Sequence, residues 1–297
     1  MTSPLRFLVT GRKGQVVTAL GERAPPGVEV LTLGRPELDL ADPASIRAAF
    51  DGETADVVIN AAAYTAVDKA ESEPELAMRV NGAGAGLVAD LARELGAPVI
   101  QISTDYVFDG SAERPYREDD PTAPLGVYGR SKLAGEEAVA AANPRHAILR
   151  TAWVYSPFGA NFVKTMLRLG ETRDEMRVVG DQWGSPTSAH DIADAIFAVA
   201  LKMLARPGPE DYGLFHLTGA GEATWAEFAQ EIFSEAQAFG RKPVRVTPIT
   251  TAEYPTPARR PANSRLDGAR LARVYGVRPP LWRDSLKPVV ARLLLEG

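Results

Sequence analysis

The sequence predicts an α/β protein: a doubly wound parallel sheet with helices on both faces, joined to a smaller, discontinuous α/β unit. Three observations predict it. Short β-leaning apolar runs alternate with helical stretches through the first half of the chain, the pattern of βαβ units. The first run ends in a turn with two glycines, Thr10-Gly11-Arg12-Lys13-Gly14-Gln15. Beyond about Arg150 the alternation breaks into loops and separate helical stretches.

Leu5–Thr10 is the first strand-like run, followed by Val28–Leu33, Asp56–Asn60, Pro98–Ile102 and His146–Arg150. Pro74–Leu95 is rich in Ala and Leu at helical spacing, and a second helical stretch runs from about Tyr128 to Ala142. Ser156–Asn161 and Gly180–Thr187 read as loops, and Ala189–Leu204 as a helix that returns to the sheet. Pro248–Pro261 has no periodicity and reads as a surface loop, suited to form a wall of a pocket. The expected division is residues 1–152 and about 188–220 for a dinucleotide-binding domain, with about 153–187 and 221–297 binding substrate.

Composition narrows the chemistry. The 297 residues are 45% hydrophobic and 24% charged, the balance of an ordinary soluble protein. Lys and Arg number 33 against 38 Asp and Glu, a net charge of −5, so no basic surplus supports nucleic-acid binding. With no cysteine, thiol nucleophiles, disulfides and Cys-ligated metals are excluded. The three histidines, His146, His190 and His216, are far apart in sequence, and no metal site is expected. No apolar segment has membrane-spanning length and the N-terminus carries no signal-peptide pattern, so a cytoplasmic protein without membrane contact is expected.

Four clusters carry chemistry. Gly11 and Gly14 follow the first strand, where a tight turn lets backbone amides face a pyrophosphate in a Rossmann-like fold; a plain βα turn reads the same way. Arg35, after the second strand, stands where an NAD site usually has a carboxylate. Its planar fork suits a 2′-phosphate, with Arg12 in support, so NADPH is expected and NADH is the alternative. Ala61, Ala62 and Ala63 after the third strand leave room for a cofactor to approach, or for helix–sheet packing. Finally, Ser103-Thr104-Asp105-Tyr106 ends the fourth strand, and Tyr128 and Lys132 lie four apart on one helix face. A tyrosine titrates near 10, and an ammonium nearby lowers that value, making the phenol a usable acid. Thr104 can present a hydroxyl to the same reacting oxygen.

These residues resemble the extended short-chain dehydrogenase/reductase superfamily, and within it the dTDP-4-dehydrorhamnose reductase family. The resemblance rests on Asp56 to Glu71 (DVVINAAAYTAVDKAE), Ile102 to Gly110 (ISTDYVFDG), Pro115 to Asp119 (PYRED) and Val127 to Glu136 (VYGRSKLAGE). Arg150 to Tyr155 (RTAWVY), Asn161 to Val163 (NFV), Asp181 to Thr187 (DQWGSPT) and Arg260 to Ser264 (RPANS) continue it over nearly the whole chain. It implies a catalytic trio of Thr104, Tyr128 and Lys132. Cofactor contacts are expected from Gly11, Arg12, Gly14, Gln15, Arg35, Asp39, Leu40, Ala62, Ala63 and Tyr64, and also from Tyr128 and Lys132, whose ammonium can bond the ribose hydroxyls. Asp105, Tyr106 and Trp153 would surround the sugar, with Thr65 and Val67 nearby. The implied reaction is NADPH-dependent reduction of the 4-keto group of dTDP-4-dehydro-6-deoxy-L-mannose, and a homodimer is compatible with it.

Departures from the family pattern set further expectations. Val17 stands at the third-glycine position, and the alanines at 61–63 are expected to absorb its bulk. Gly126 stands where the family often has asparagine, removing one hydrogen-bonding side chain. Some members bridge a dimer with magnesium, but no convincing carboxylate set for it is present. A dehydratase of this fold would carry glutamate where Tyr106 stands, and an epimerase would favour an acidic residue near Arg35. A non-catalytic regulatory subunit of the same fold is the alternative from another class.

Overall fold

A computed structural model describes residues 3–205 and 207–296. The first half runs β1 (Leu5–Thr10), α1 (Gln15–Arg23), β2 (Val28–Leu33), α2 (Pro43–Phe50) and β3 (Val57–Asn60). Short helices α3 (Val67–Ala70) and α4 (Pro74–Met78) follow, and α4 passes through a π-helical turn, Arg79–Gly84, into α5 (Ala85–Glu94). Then come β4 (Val99–Thr104), α6 (Val127–Ala142) and β5 (His146–Thr151). The second half has β6 (Val154–Tyr155), α7 (Phe162–Gly170), β7 (Glu175–Val179), β8 (Trp183–Gly184), β9 (Thr187–Ser188) and α8 (Ala189–Ala205). It ends with β10 (Gly213–His216), β11 (Ala223–Thr224), α9 (Trp225–Gln237), β12 (Arg245–Ile249), α10 (Ala269–Tyr275) and α11 (Trp282–Leu295).

The main sheet has six strands in the order β10-β5-β4-β3-β1-β2. Every neighbouring pair in it is parallel. The order reverses between β1 and β3, which opens a crevice beyond their C-terminal ends. Alternate side chains feed two cores. Phe7, Val9, Val57, Ile59 and Leu149 face α1 and α8, while Leu8, Val58, Val99 and Ile148 face α2, α5 and α6. Both faces are apolar because parallel crossovers cover both with helices. A third core lies apart from the sheet, where Tyr155, Met166, Phe228, Phe233, Trp282 and Leu286 gather α7, α9 and α11 around the β7–β12 pair. Among the described residues no helix is long and apolar enough to cross a membrane.

Three local differences from the sequence reading have physical causes. Pro74–Leu95 is not one regular helix, because the buried Asn81 sits in the π-helical turn and bonds sideways. Its Oδ1 accepts from the Tyr64 amide at 2.8 Å, and its Nδ2 donates to the Tyr64 carbonyl and to Ser131 Oγ. Gly180–Thr187 is not all loop, since Trp183–Gly184 pairs with Ala223–Thr224. Val17 is absorbed chiefly by Gly11: a Cβ on Gly11 would lie 2.9 Å from Val17 Cγ2 and 3.6 Å from Ala62 Cβ. Val17 thus fills the space that the glycine leaves open and is buried in the α1 core.

Candidate active site

The turns after β1, β2 and β3 meet at the crevice. Gly11 has φ +107°, a conformation side chains rarely adopt, so the turn can fold tightly over Ala62. Gly34 lets the β1 turn lie against β2's end; a Cβ there would sit 3.0 Å from the Gly11 carbonyl carbon and the Arg12 amide. The resulting cavity, about 590 Å³, is lined by Gly11, Arg12, Arg35, Asp39, Leu40, Ala62, Ala63, Tyr64 and Thr65 among the residues singled out from sequence. Lys13, Gly34, Leu38, Ala66 and Val80 also line it. Arg12 pairs with Glu37 at 2.8 Å and Arg35 with Asp39 at 3.1 Å. The Asp39 carboxyl is held below its ordinary value by the Ala41 amide first, and also by Arg35. Small walls, a glycine turn and two exposed guanidinium groups fit a phosphorylated dinucleotide.

Gln15 does not line this cavity. Its side chain ties α1 to the loop after β6, accepting from Ser156 Oγ at 2.7 Å and from Asn161 Nδ2 at 3.1 Å. Gly14, at the start of α1, is also outside the lining, and Val67 begins α3.

The proposed acid and its neighbours lie at the end of β4. Thr104 Oγ1 donates to Asp105 Oδ1 at 3.0 Å and accepts from the Tyr106 amide at 3.2 Å. Tyr106 packs edge-on against Tyr128, ring centres 5.5 Å apart. Helix α6 can come this close because Gly129 has no side chain; a Cβ there would be 2.2 Å from the Tyr106 carbonyl oxygen. Lys132, one turn on and only 4% exposed, donates from Nζ to the Ile102 carbonyl oxygen at 2.7 Å.

Electrostatics here differ from the sequence expectation. Burial raises the Tyr128 phenol above its ordinary value, Asp105's charge adds to the rise, and the Thr104 hydroxyl opposes it. The expected lowering by Lys132 does not dominate, because the ammonium is turned to a backbone carbonyl. Burial lowers Lys132 to about 8, against the pull of Glu136. Burial also raises Asp105 to about 6, against the opposing pull of Ser264 and Thr104, and its Oδ2 has no hydrogen-bond partner within 3.5 Å among the described residues. Tyr106 is pushed up to about 12 by burial and by Asp105.

Sequence reasoning did not assign Arg260 or Asp68 a role. Arg260 NH1 donates to the Tyr106 hydroxyl at 3.3 Å, and its NH2 bonds Asp68 Oδ2 at 2.8 Å. The Pro-rich loop is therefore anchored to α3, and the Ala258 amide adds a bond to Asp68 Oδ1 at 3.1 Å. Both residues lie in motifs quoted above, but the 192 positions between them hide the pairing. Trp153 has φ +49°, a strained value for a bulky residue. It is held between Trp225, stacked at 3.6 Å, and Gly184, where a Cβ would lie 2.3 Å from its ring.

Asp105 gives a pH test. Its carboxyl is raised in the folded chain, so its contribution to stability is present below the unfolded value of 3.8 and is lost as pH rises through about 6. Asp105→Asn should therefore gain thermal stability over the parent as pH goes from 4.5 to 7.5. A melting-temperature difference that stays constant across that range would show that Asp105 does not titrate there.

Residues 5–295 match the family model described as RmlD substrate binding domain. The chain is 53% identical over 293 residues to a dTDP-4-dehydrorhamnose reductase of Sinorhizobium fredii, covering 99% of each chain. A solved dTDP-4-dehydrorhamnose reductase from Clostridium acetobutylicum matches at TM-score 0.91 and 41% identity, over 98% of this chain and 100% of that one. A dTDP-4-dehydrorhamnose reductase from Bacillus anthracis in complex with NADP matches at TM-score 0.90 and 35% identity, over 97% of this chain and 99% of that one. With the Rossmann-like sheet, the glycine turn and the Thr104–Tyr128–Lys132 cluster, these matches assign the chain to the dTDP-4-dehydrorhamnose reductase family.

Proposed function

We propose that this chain reduces C4 of dTDP-4-dehydro-6-deoxy-L-mannose with NADPH, giving dTDP-L-rhamnose. The observation that carries the reading is Tyr128, packed against Tyr106 and beside the Thr104 hydroxyl, with the buried Lys132 one turn on, in a chain whose glycine turn lines a cavity suited to a dinucleotide. NADPH supplies the hydride when bound. The turn at Gly11, the alanines at 62 and 63, and Tyr64 would hold it, with Arg35 and Arg12 facing its 2′-phosphate. Residues 1–152 and about 188–220 are read as the cofactor half, and about 153–187 and 221–297 as the sugar-nucleotide half.

Tyr128 gives its proton to the C4 oxygen while Thr104 orients that oxygen. Burial and Asp105 keep the phenol protonated at rest, which is the form an acid needs. Lys132, which keeps two N–H donors beyond its bond to the Ile102 carbonyl, would bond the cofactor's ribose hydroxyls. Thr65, Val67, Asp105, Tyr106 and Trp153 are assigned to the sugar side. Arg260, beside the Tyr106 hydroxyl, adds a cation that suits a diphosphate.

Two outcomes are expected. Tyr128→Phe should lose roughly two to four orders of magnitude in turnover while still binding NADPH; near-parental turnover would remove the phenol from the reaction. Arg35→Ala should weaken NADPH by roughly 10- to 100-fold, the worth of a charge-assisted bond, and NADH far less. Equal losses in fluorescence titrations would mean Arg35 does not read the 2′-phosphate.

A further inference from the structure

We infer that Glu71 is a positioning residue for the reaction: it caps α6 from outside and so sets where Tyr128 stands. This rests on the reading of Tyr128 as the acid. A helix N-terminus leaves amides without intrahelical partners. Gly126 precedes α6 and has no side chain to satisfy them. Glu71, 56 positions earlier, supplies the acceptor: the Val127 amide donates to Glu71 Oε1 at 2.8 Å. A carboxylate there also suits the positive end of the helix dipole.

Gly126 lies directly against this cap and carries no backbone strain. Its φ of −127° and ψ of 176° are open to any residue. A Cβ at that position, however, would lie 2.5 Å from Glu71 Oε1. A capping side chain at 126 and the carboxylate of residue 71 therefore compete for one space.

Glu71 is itself well anchored. It ends α3, whose Asp68 holds Arg260 and the Ala258 amide. Ala70, beside it, shares an apolar cluster with Ala77 and Val127, against which Tyr64 and Tyr128 pack. On the other side, Gly129 rests on the Tyr106 backbone. The first turn of α6 is thus fixed between Tyr106 and α3, with the phenol-bearing residue directly after the capped amide.

The test uses full-length protein carrying Glu71→Ala, Glu71→Gln, Gly126→Asn, or Glu71→Ala with Gly126→Asn. Turnover with NADPH and the 4-keto sugar is read beside amide hydrogen exchange at residues 127–129 in the protein alone. Glu71→Ala should lower kcat about tenfold through a misplaced acid, leave the KM for NADPH near parental, and speed exchange at those amides. Glu71→Gln keeps an acceptor oxygen and should stay within about threefold of the parent. Gly126→Asn alone should also stay within about threefold of the parent, because the asparagine can take over the cap when Glu71 moves aside. The double variant should recover to within about threefold, because asparagine then caps the helix itself. Parental kcat and exchange in Glu71→Ala, or a double variant no better than Glu71→Ala, would overturn the inference. Absence of turnover in the parent would instead overturn the reductase reading, while the exchange data would still decide whether Glu71 is the cap.

Discussion

The ammonium of Lys132 is buried, and much of the site's architecture is the means of keeping it there. An ammonium removed from water must be compensated by hydrogen bonds and opposite charge. The Ile102 carbonyl takes one bond, and Glu136 lies one turn further along the same helix. Glu136 is in turn shared: Arg150 grips it through Nε at 2.9 Å and NH2 at 2.6 Å, and Ser103 bonds Oε1. Arg150 is only 3% exposed and lies over the Phe108 ring at 4.9 Å. Two cations and one carboxylate thus join α6 to β4 and β5, and removing Glu136 would leave two buried cations without their counter-charge.

The same carbonyl links the lysine to the nucleotide end of the sheet. Gln101 Nε2 also donates to the Ile102 oxygen, at 2.8 Å. Gln101 accepts from Asn60 Nδ2 at 2.7 Å, Asn60 accepts from Thr10 Oγ1 at 2.6 Å, and Thr10 accepts from the Ala62 amide at 3.1 Å. A buried polar chain therefore runs across the ends of β1, β3 and β4, from the glycine turn to the lysine. Such a chain is stabilising only when every member is satisfied, which registers these strand ends to one another. Close helix packing completes the arrangement: a Cβ at Gly135 would fall 2.0 Å from the Asn81 carbonyl oxygen, and one at Gly86 would fall 2.8 Å from Ala138 Cβ.

Local chemistry made the sheet legible in advance. The runs at Leu5–Thr10 and Val28–Leu33 match β1 and β2 because apolar strands end abruptly at Gly11 and Gly34. Residues lining the crevice were readable for the same reason, as they follow strand ends directly. What stayed hidden depends on partners distant in sequence. Asn81 breaks the long helix only because Tyr64 and Ser131 come to it. The tie of the Gln15 side chain to Ser156 depends on a partner 141 positions away. Lys132 reads as the tyrosine's partner by spacing, whereas the competing Ile102 carbonyl depends on how α6 lies on β4. Gly126 reads as a missing side chain until Glu71 is seen in its place.

The reaction proposed for this site is proton delivery from Tyr128 to a carbonyl that receives hydride at C4. Deuterium tracing tests it most directly: full-length protein is incubated with dTDP-4-dehydro-6-deoxy-L-mannose and NADPH carrying deuterium at both positions of the nicotinamide C4, and the sugar product is read by NMR. The account predicts one deuterium at C4 of dTDP-L-rhamnose and none at C3 or C5. Oxidation of the cofactor without deuterium at C4, or label at C3 or C5, would contradict it.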